Sequence, residues 1–200
     1  MYRTSAPKPP PQSALTSVFS PLTFRCVRKD SSVLDLGAGD GTFAQYLAEL
    51  RKTNMYTGVD ILPRPNDLPA NAVWHTESIE QWCEWSCEVY DLVYVRNVLQ
   101  FLDRAYTLEH LLPDLLRRVE PGGHIALSTF TAPPVPSVDL GWKSLYSLRD
   151  FSGLFTQWKT VLATQEPYFG RTRQDPTMRT WHTVQLIMER PLHGKTSTSL

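Results

Sequence analysis

The stretch Val33-Leu34-Asp35-Leu36-Gly37-Ala38-Gly39-Asp40-Gly41-Thr42 decides the fold. Ser32 to Leu36 reads as a short buried strand. Phe43, Ala44, Tyr46, Leu47 and Leu50 then recur at helical spacing, which predicts an amphipathic helix. The glycines therefore fall where a strand passes into a helix. Glycine permits the tight turn and lets a ligand approach without an intervening side chain. The helix N-terminus leaves amide donors unpaired beside it. Such a junction serves nucleotide cofactors of several kinds.

Spacing narrows the choice. A dinucleotide fingerprint has glycine at its first and third positions and glycine or alanine at its sixth. Gly37 and Gly39 match, but Thr42 stands at the sixth position and Gly41 one place early. Asp35 and Asp40 would also crowd a pyrophosphate with negative charge. A cofactor without phosphates fits better. Asp60 ends the next predicted strand, about twenty residues past the glycines, where a carboxylate accepts ribose hydroxyls. A solvated strand-end Asp is the plainer alternative.

Outward from this unit, strands and helices continue to alternate. Ser13 to Val27 suits an N-terminal helix, broken or begun at Pro21. Met55 to Val59, Ala72 to His75 and Tyr90 to Val95 read as strands. Leu108, Leu111, Leu112, Leu115, Leu116 and Val119 form a helical stripe, in which Pro113 removes a donor and predicts a kink or a restart. Pro121-Gly122-Gly123 ends that helix and leads into a strand from His124 to Thr129. Leu148 to Trp158 is expected as a helix, and Lys159 to Glu166 and Thr180 to Glu189 as two strands joined by a polar hairpin.

Alternation implies parallel pairing with helices on both faces. The closing strand pair, lacking a helix between its members, adds an antiparallel strand at one edge. The expectation is an α/β, Rossmann-like, doubly wound sheet of seven strands in three α/β/α layers. One domain is expected over 13–192, with a flexible Pro-rich N-terminus over 1–12 and a flexible polar tail over 193–200.

As an ordered set, the glycine loop, Tyr56-Thr57-Gly58-Val59-Asp60, Tyr90-Asp91-Leu92-Val93-Tyr94-Val95 and Leu116-Arg117-Arg118-Val119-Glu120-Pro121-Gly122-Gly123 resemble the motifs of class I S-adenosylmethionine-dependent methyltransferases. The likeness runs from about Ser31 to Phe130. More loosely, Leu148-Arg149-Asp150-Phe151 through Trp158 and Glu166 resemble the small tellurite-resistance-type and type 11 methyltransferases.

The resemblance implies a site for S-adenosylmethionine. Gly37, Ala38 and Gly39 would pass under its methionine and ribose portions. Asp35 would brace the loop or reach the amino acid end through water, Asp60 would hold the ribose, and Ile61 would pack on the adenine. Many members place an Asp after the third strand for the adenine amino group. Ser78 stands there instead, with the amide of Ile79 beside it and Glu77 as a rival. Asn97 follows the fourth strand, at the edge where open α/β sheets bind ligands. It is expected at the methionine part, with Gln100 near, or else as a polar helix cap. Arg96 is open between the donor carboxylate, a substrate acid and Asp91.

Charge bears on the acceptor. Twenty Lys and Arg balance twenty Asp and Glu, whereas a domain gripping many phosphates carries a basic surplus. Nucleic acid is therefore not the expected partner, and a small-molecule acceptor is. No apolar run approaches the roughly 20 residues that cross a bilayer, and the N-terminus lacks the apolar core of a secretory signal. A cytoplasmic protein without a membrane partner is expected. Cys26, Cys83 and Cys87 do not suggest a disulfide framework. Cys83 and Cys87 could share a helix face, but with only His75 near them no metal site is expected.

Methyl transfer from a sulfonium is an in-line displacement, which asks chiefly for alignment and exclusion of water. A general base is needed for a hydroxyl or protonated amine but not for a thiolate or a soft metalloid anion. No catalytic residue is singled out. Tyr168, His182, Tyr106 and His110 are base or positioning candidates with plainer surface roles. Trp142, Tyr146, Phe151 and Phe155 divide between pocket lining and packing. The leading reading is methyl transfer to a small molecule. A protein or RNA methyltransferase and a catalytically silent methyltransferase-like binding subunit are the alternatives, with a nicotinamide-dependent reductase last.

Overall fold

The computed structural model describes residues 19–50, 55–132, 144–170 and 179–192. The ends expected to be flexible, 1–12 and 193–200, lie outside these residues. Among the described residues there are seven strands: β1 (Ser32–Leu36), β2 (Met55–Asp60), β3 (Ala72–Thr76), β4 (Tyr90–Arg96), β5 (Val119–Ala132), β6 (Lys159–Gly170) and β7 (Arg179–Glu189). They form one sheet in the order β3-β2-β1-β4-β5-β7-β6. Neighbours from β3 to β5 pair in parallel, and β7 runs antiparallel to both β5 and β6. This is the Rossmann-like architecture with its antiparallel addition at one edge.

The period of two along each strand sorts side chains into two apolar layers. Leu34, Leu36, Val93, Val95, Ile125 and Leu127 join one layer. It is covered by Ile79 and Trp82 of α3 (Ile79–Trp85) and by Leu112 and Leu115 of α5 (Leu112–Arg117). Val33, Tyr56, Leu92, Tyr94 and Ala126 join the other, with Ala44 and Leu47 of α2 (Thr42–Leu50) and Val27 just past α1 (Phe19–Cys26). Three layers result. Among the described residues no helix is long and apolar enough to cross a membrane.

One local expectation is met and three are corrected. The stripe after β4 restarts at Pro113 as its missing donor predicts: α4 (Arg104–Tyr106) runs into a π-turn over Thr107–Leu111, and α5 begins at Leu112 with Pro113 in its first turn. Pro113 has no N–H for the carbonyl of Glu109, and the widened turn absorbs the missing bond. Leu148 to Trp158 is helical only at α6 (Leu148–Phe151), after which turns lead to Trp158. Ser152 and Gly153 are poor helix continuers, yet Phe151 and Phe155 both reach the core. Cys87 lies beyond the end of α3 and its cap Ser86, so Cys83 and Cys87 do not share a helix face; all three cysteines are free thiols.

The third correction concerns Pro121-Gly122-Gly123. β5 starts at Val119, opposite Tyr90, and its register shifts before Leu92 meets His124. The triplet is therefore an irregularity within the strand, not a turn preceding it. Gly122 adopts φ +78° and donates its N–H to the Arg190 carbonyl at 3.0 Å. A Cβ on Gly123 would lie 2.8 Å from the Asp91 carbonyl oxygen and 2.9 Å from that of Glu120. Backbone cannot yield as a side chain does. Gly123→Ala is expected to cost about 1–3 kcal/mol, read as a lower urea midpoint at unchanged slope.

Candidate active site

The chain winds outward from β1 to β3, then crosses back to β4 on the other side of β1. At such a reversal the loops leaving the two central strands diverge and open a crevice. Here those loops begin at Gly37 and Asn97, just past the last register pair of Leu36 with Val95. They touch. A Cβ on Gly37 would lie 2.7 Å from the side chain of Val98, and Gly37 has φ +72°. Glycine alone satisfies both conditions.

The loop then folds over the end of β2. The amides of Gly37 and Ala38 donate to the Val59 carbonyl at 2.9 and 3.2 Å. The Gly39 amide donates to Asp60 Oδ2 at 2.7 Å, and the Leu62 amide to Asp60 Oδ1 at 2.9 Å. Each oxygen of Asp60 thus accepts one backbone N–H. An ionised carboxylate has about four acceptor sites, so capacity remains for two further donors. Ile61, next in sequence, is 74% exposed, an apolar surface available to cover a flat ring.

The end of β3 approaches this point, since the Glu77 amide donates to the Asp60 carbonyl at 3.1 Å. Ser78 caps α3: its Oγ accepts from the Gln81 amide while its own amide donates to Gln81 Oε1, each at 3.2 Å. The Ile79 side chain is buried in the core, and its amide belongs to the first turn of α3, where amides have no intrahelical acceptor. The carboxylate of rival Glu77 accepts from Trp85 Nε1 at 3.1 Å and lies 3.7 Å from His75 Nδ1.

Asn97 takes the left-handed conformation, φ +52°, which Asn tolerates better than most residues. Its amide donates to the Ser128 carbonyl at 2.8 Å, and Ser128 Oγ donates to its Oδ1 at 3.1 Å. Gln100 Nε2 donates to the Asn97 carbonyl at 2.6 Å. Asn97 is not a helix cap: the short turn that follows, Leu99–Phe101, is preceded by Val98 and has no side-chain cap.

Under the loop, Asp35 is only 2% exposed and accepts a hydrogen bond from the Tyr56 hydroxyl at 2.7 Å. Burial pushes its carboxyl up to about 7; the Tyr56 bond and Arg96 oppose this, while Asp60 and Asp40 add to it. Tyr94, in register beside Asp35, stacks on Phe43 at 3.9 Å, and burial pushes its hydroxyl up to about 12. Neither tyrosine stands out in the sequence as more than a strand residue. Their signal is parity, because they share the strand face that carries Asp35.

The other candidates lie in varied surroundings. His182 is exposed on β7, and Tyr168 belongs to β6, opposite Trp181. Tyr106 and His110 place their rings 5.9 Å apart on the helical layer. Tyr146, Phe151 and Phe155 are core residues, and Trp142 lies outside the described residues. Among the described residues no group of three His, Cys, Asp or Glu is arranged to hold a metal ion.

Comparison with known proteins places this geometry in a family. A family model described as "Methyltransferase domain" matches residues 12–167. Nodulation protein S of Rhizobium tropici is 27% identical over 106 residues, which is 50% of this chain and 43% of that protein. The chain thus spans less than half the length of that curated relative. TehB from Haemophilus influenzae superposes with a TM-score of 0.67 at 15% identity, covering 88% of this chain and 63% of TehB. The 1,6-didemethyltoxoflavin-N1-methyltransferase of Burkholderia thailandensis, solved with 1,6-didemethyltoxoflavin and S-adenosylhomocysteine, superposes at 0.60 with 15% identity, covering 91% and 77%. The chain belongs to the methyltransferase-domain family, within the class I S-adenosylmethionine-dependent methyltransferases.

Proposed function

We propose that the crevice binds S-adenosylmethionine and directs its methyl group to a small-molecule acceptor. The observation that carries the donor half is the Asp60 carboxylate, held toward the glycine loop by the Gly39 amide with acceptor capacity to spare. Two vicinal ribose hydroxyls match that capacity. Gly37, Ala38 and Gly39 form the floor, where a bare backbone admits the donor closely. Ile61 covers one adenine face, and the Ile79 amide beside capping Ser78 takes the adenine edge. Asn97, its Oδ1 already used by Ser128, turns its Nδ2 donors to the methionine end. Asp35 braces the loop from below. The carboxyls of Asp35, Asp40 and Asp60 suit a cation and repel a pyrophosphate.

The bound donor supplies a sulfonium-activated methyl group. What the chain adds is placement and dryness, and alignment alone is worth up to roughly 7–11 kcal/mol in well-oriented systems. No protein base is assigned, since the need for one depends on the acceptor. Support for a small acceptor is the even charge balance, together with a fold shared with a Burkholderia enzyme solved with a small heterocycle bound.

Titration with S-adenosylmethionine is expected to give heat and a thermal shift, and NAD(H) neither. Removing hydrogen bonds to a charged group costs about 1.5–3 kcal/mol, so Asp60→Ala is expected to weaken donor binding about 10–100-fold. An unchanged affinity would count against the ribose role. Labelled donor incubated with metabolite, protein and RNA fractions is expected to label metabolites. Label confined to macromolecules would refute the small acceptor, and donor binding with no transfer would support the silent subunit.

A further inference from the structure

Tyr56 reaches Asp35 because the strand between them has been cleared. Gly58 is in register beside Asp35, and Tyr56 beside Val33 two residues earlier on the same face. A Cβ on Gly58 would lie 3.0 Å from Cε1 of the Tyr56 ring and 2.7 Å from the Trp74 ring. With bare backbone there, the Tyr56 ring lies along the sheet and delivers its hydroxyl to Asp35 Oδ2 at 2.7 Å. Both partners are almost fully buried, Tyr56 at 3% exposure and Asp35 at 2%. The pair lies directly below a loop that leaves the same strand two residues later.

The titratable groups around Asp35 come from the neighbouring strands and the loop. β2 brings Tyr56 and Asp60, β4 brings Tyr94 and Arg96, and the loop brings Asp40. The residues of α2 in this layer, Phe43, Ala44 and Leu47, carry no charge. Buried Asp35 therefore feels two further carboxyls, those of half-buried Asp60 and exposed Asp40, and one guanidinium. Asp35, the most deeply buried, holds its proton up to about 7.

We propose that Tyr56 is a positioning residue for the donor site, holding the Asp35 carboxyl beneath the loop so that a proton on Asp35 is exchanged for a cationic donor. The proposal rests on the donor reading above. S-adenosylmethionine carries a sulfonium, an ammonium and a carboxylate, a net positive charge. Its arrival favours the Asp35 carboxylate, and the displaced proton passes to solvent. Since binding lowers a raised carboxyl titration, affinity rises with pH until the empty site is itself ionised near 7, and is level above that. The Tyr56 hydroxyl favours the charged form, so without it the rise shifts to higher pH.

The test is calorimetric titration of the full chain with S-adenosylmethionine from pH 5 to 8, in two buffers of different ionisation enthalpy. Affinity is expected to rise by up to about tenfold per pH unit below 7, with a fraction of a proton released per donor bound. Tyr56→Phe is expected to move the inflection upward in pH. Asp35→Asn is expected to bind the donor with no such pH dependence and no proton release. A level affinity from pH 5 to 8, or proton release persisting in Asp35→Asn, would overturn the coupling. An unmoved inflection in Tyr56→Phe would overturn the role of Tyr56. Absence of donor binding at every pH would instead overturn the donor reading on which the coupling depends.

Discussion

The hydrogen bond from the Gly39 amide to Asp60, at 2.7 Å, ties the end of β1 to the end of β2 and makes one surface of two strands. It forms only if the chain leaving β1 doubles back at once. Positive φ at Gly37, Gly39 and Gly41 allows that path. Two further amides on the Val59 carbonyl hold it. The fold supplies the anchor for this closure, since β1 and β2 lie in adjacent parallel register inside a sheet buried on both faces. A loop so constrained, its amides spent on Val59 and Asp60, presents bare backbone in a fixed path, which is the physical content of preorganisation.

Closure of the loop carries an electrostatic consequence. Asp35 is sealed beneath it, in a layer whose other strand residues are mainly apolar. A carboxyl buried so deeply is costly in its charged form. The molecule meets that cost with one tyrosine hydroxyl and a nearby guanidinium, and leaves the carboxyl responsive near neutral pH. Stability and chemistry meet at the same residue. On the opposite face of the sheet, packed by α3 and α5, Leu34 and Leu36 of β1 join an apolar cluster. The division of labour between the two faces follows from strand parity alone.

Much of this organisation was legible because it is local. β1 is read from five successive residues, and the helix after it from a period of 3.6, and both are found where expected. The order of strands and helices also follows from short windows, and parallel pairing follows from that order. Asp60 was legible as a strand-end acid at a telling distance from the glycines. Its partner was not, because the Gly39 bond spans 21 residues and depends on β2 lying beside β1. Likewise Asn97 was visible as a polar residue after β4, but its bonds to Ser128 depend on β5.

By itself the sequence determined the strand-to-helix junction, the glycines that turn it, and the acidic rather than basic character of the crevice. These depend on residue types at fixed short spacing, where steric rules for φ and side-chain period act directly. Only the tertiary structure decided that Pro121-Gly122-Gly123 lies within β5, since that irregularity is defined by pairing with β4. Only it ended α6 at Phe151 while keeping Phe155 in the core. The meeting of Tyr56 with Asp35 belongs to the same class, joining residues 21 apart across a glycine that has no side chain to separate them. Such contacts arise when strands from distant parts of the chain become neighbours, and no local preference encodes which neighbour each will have.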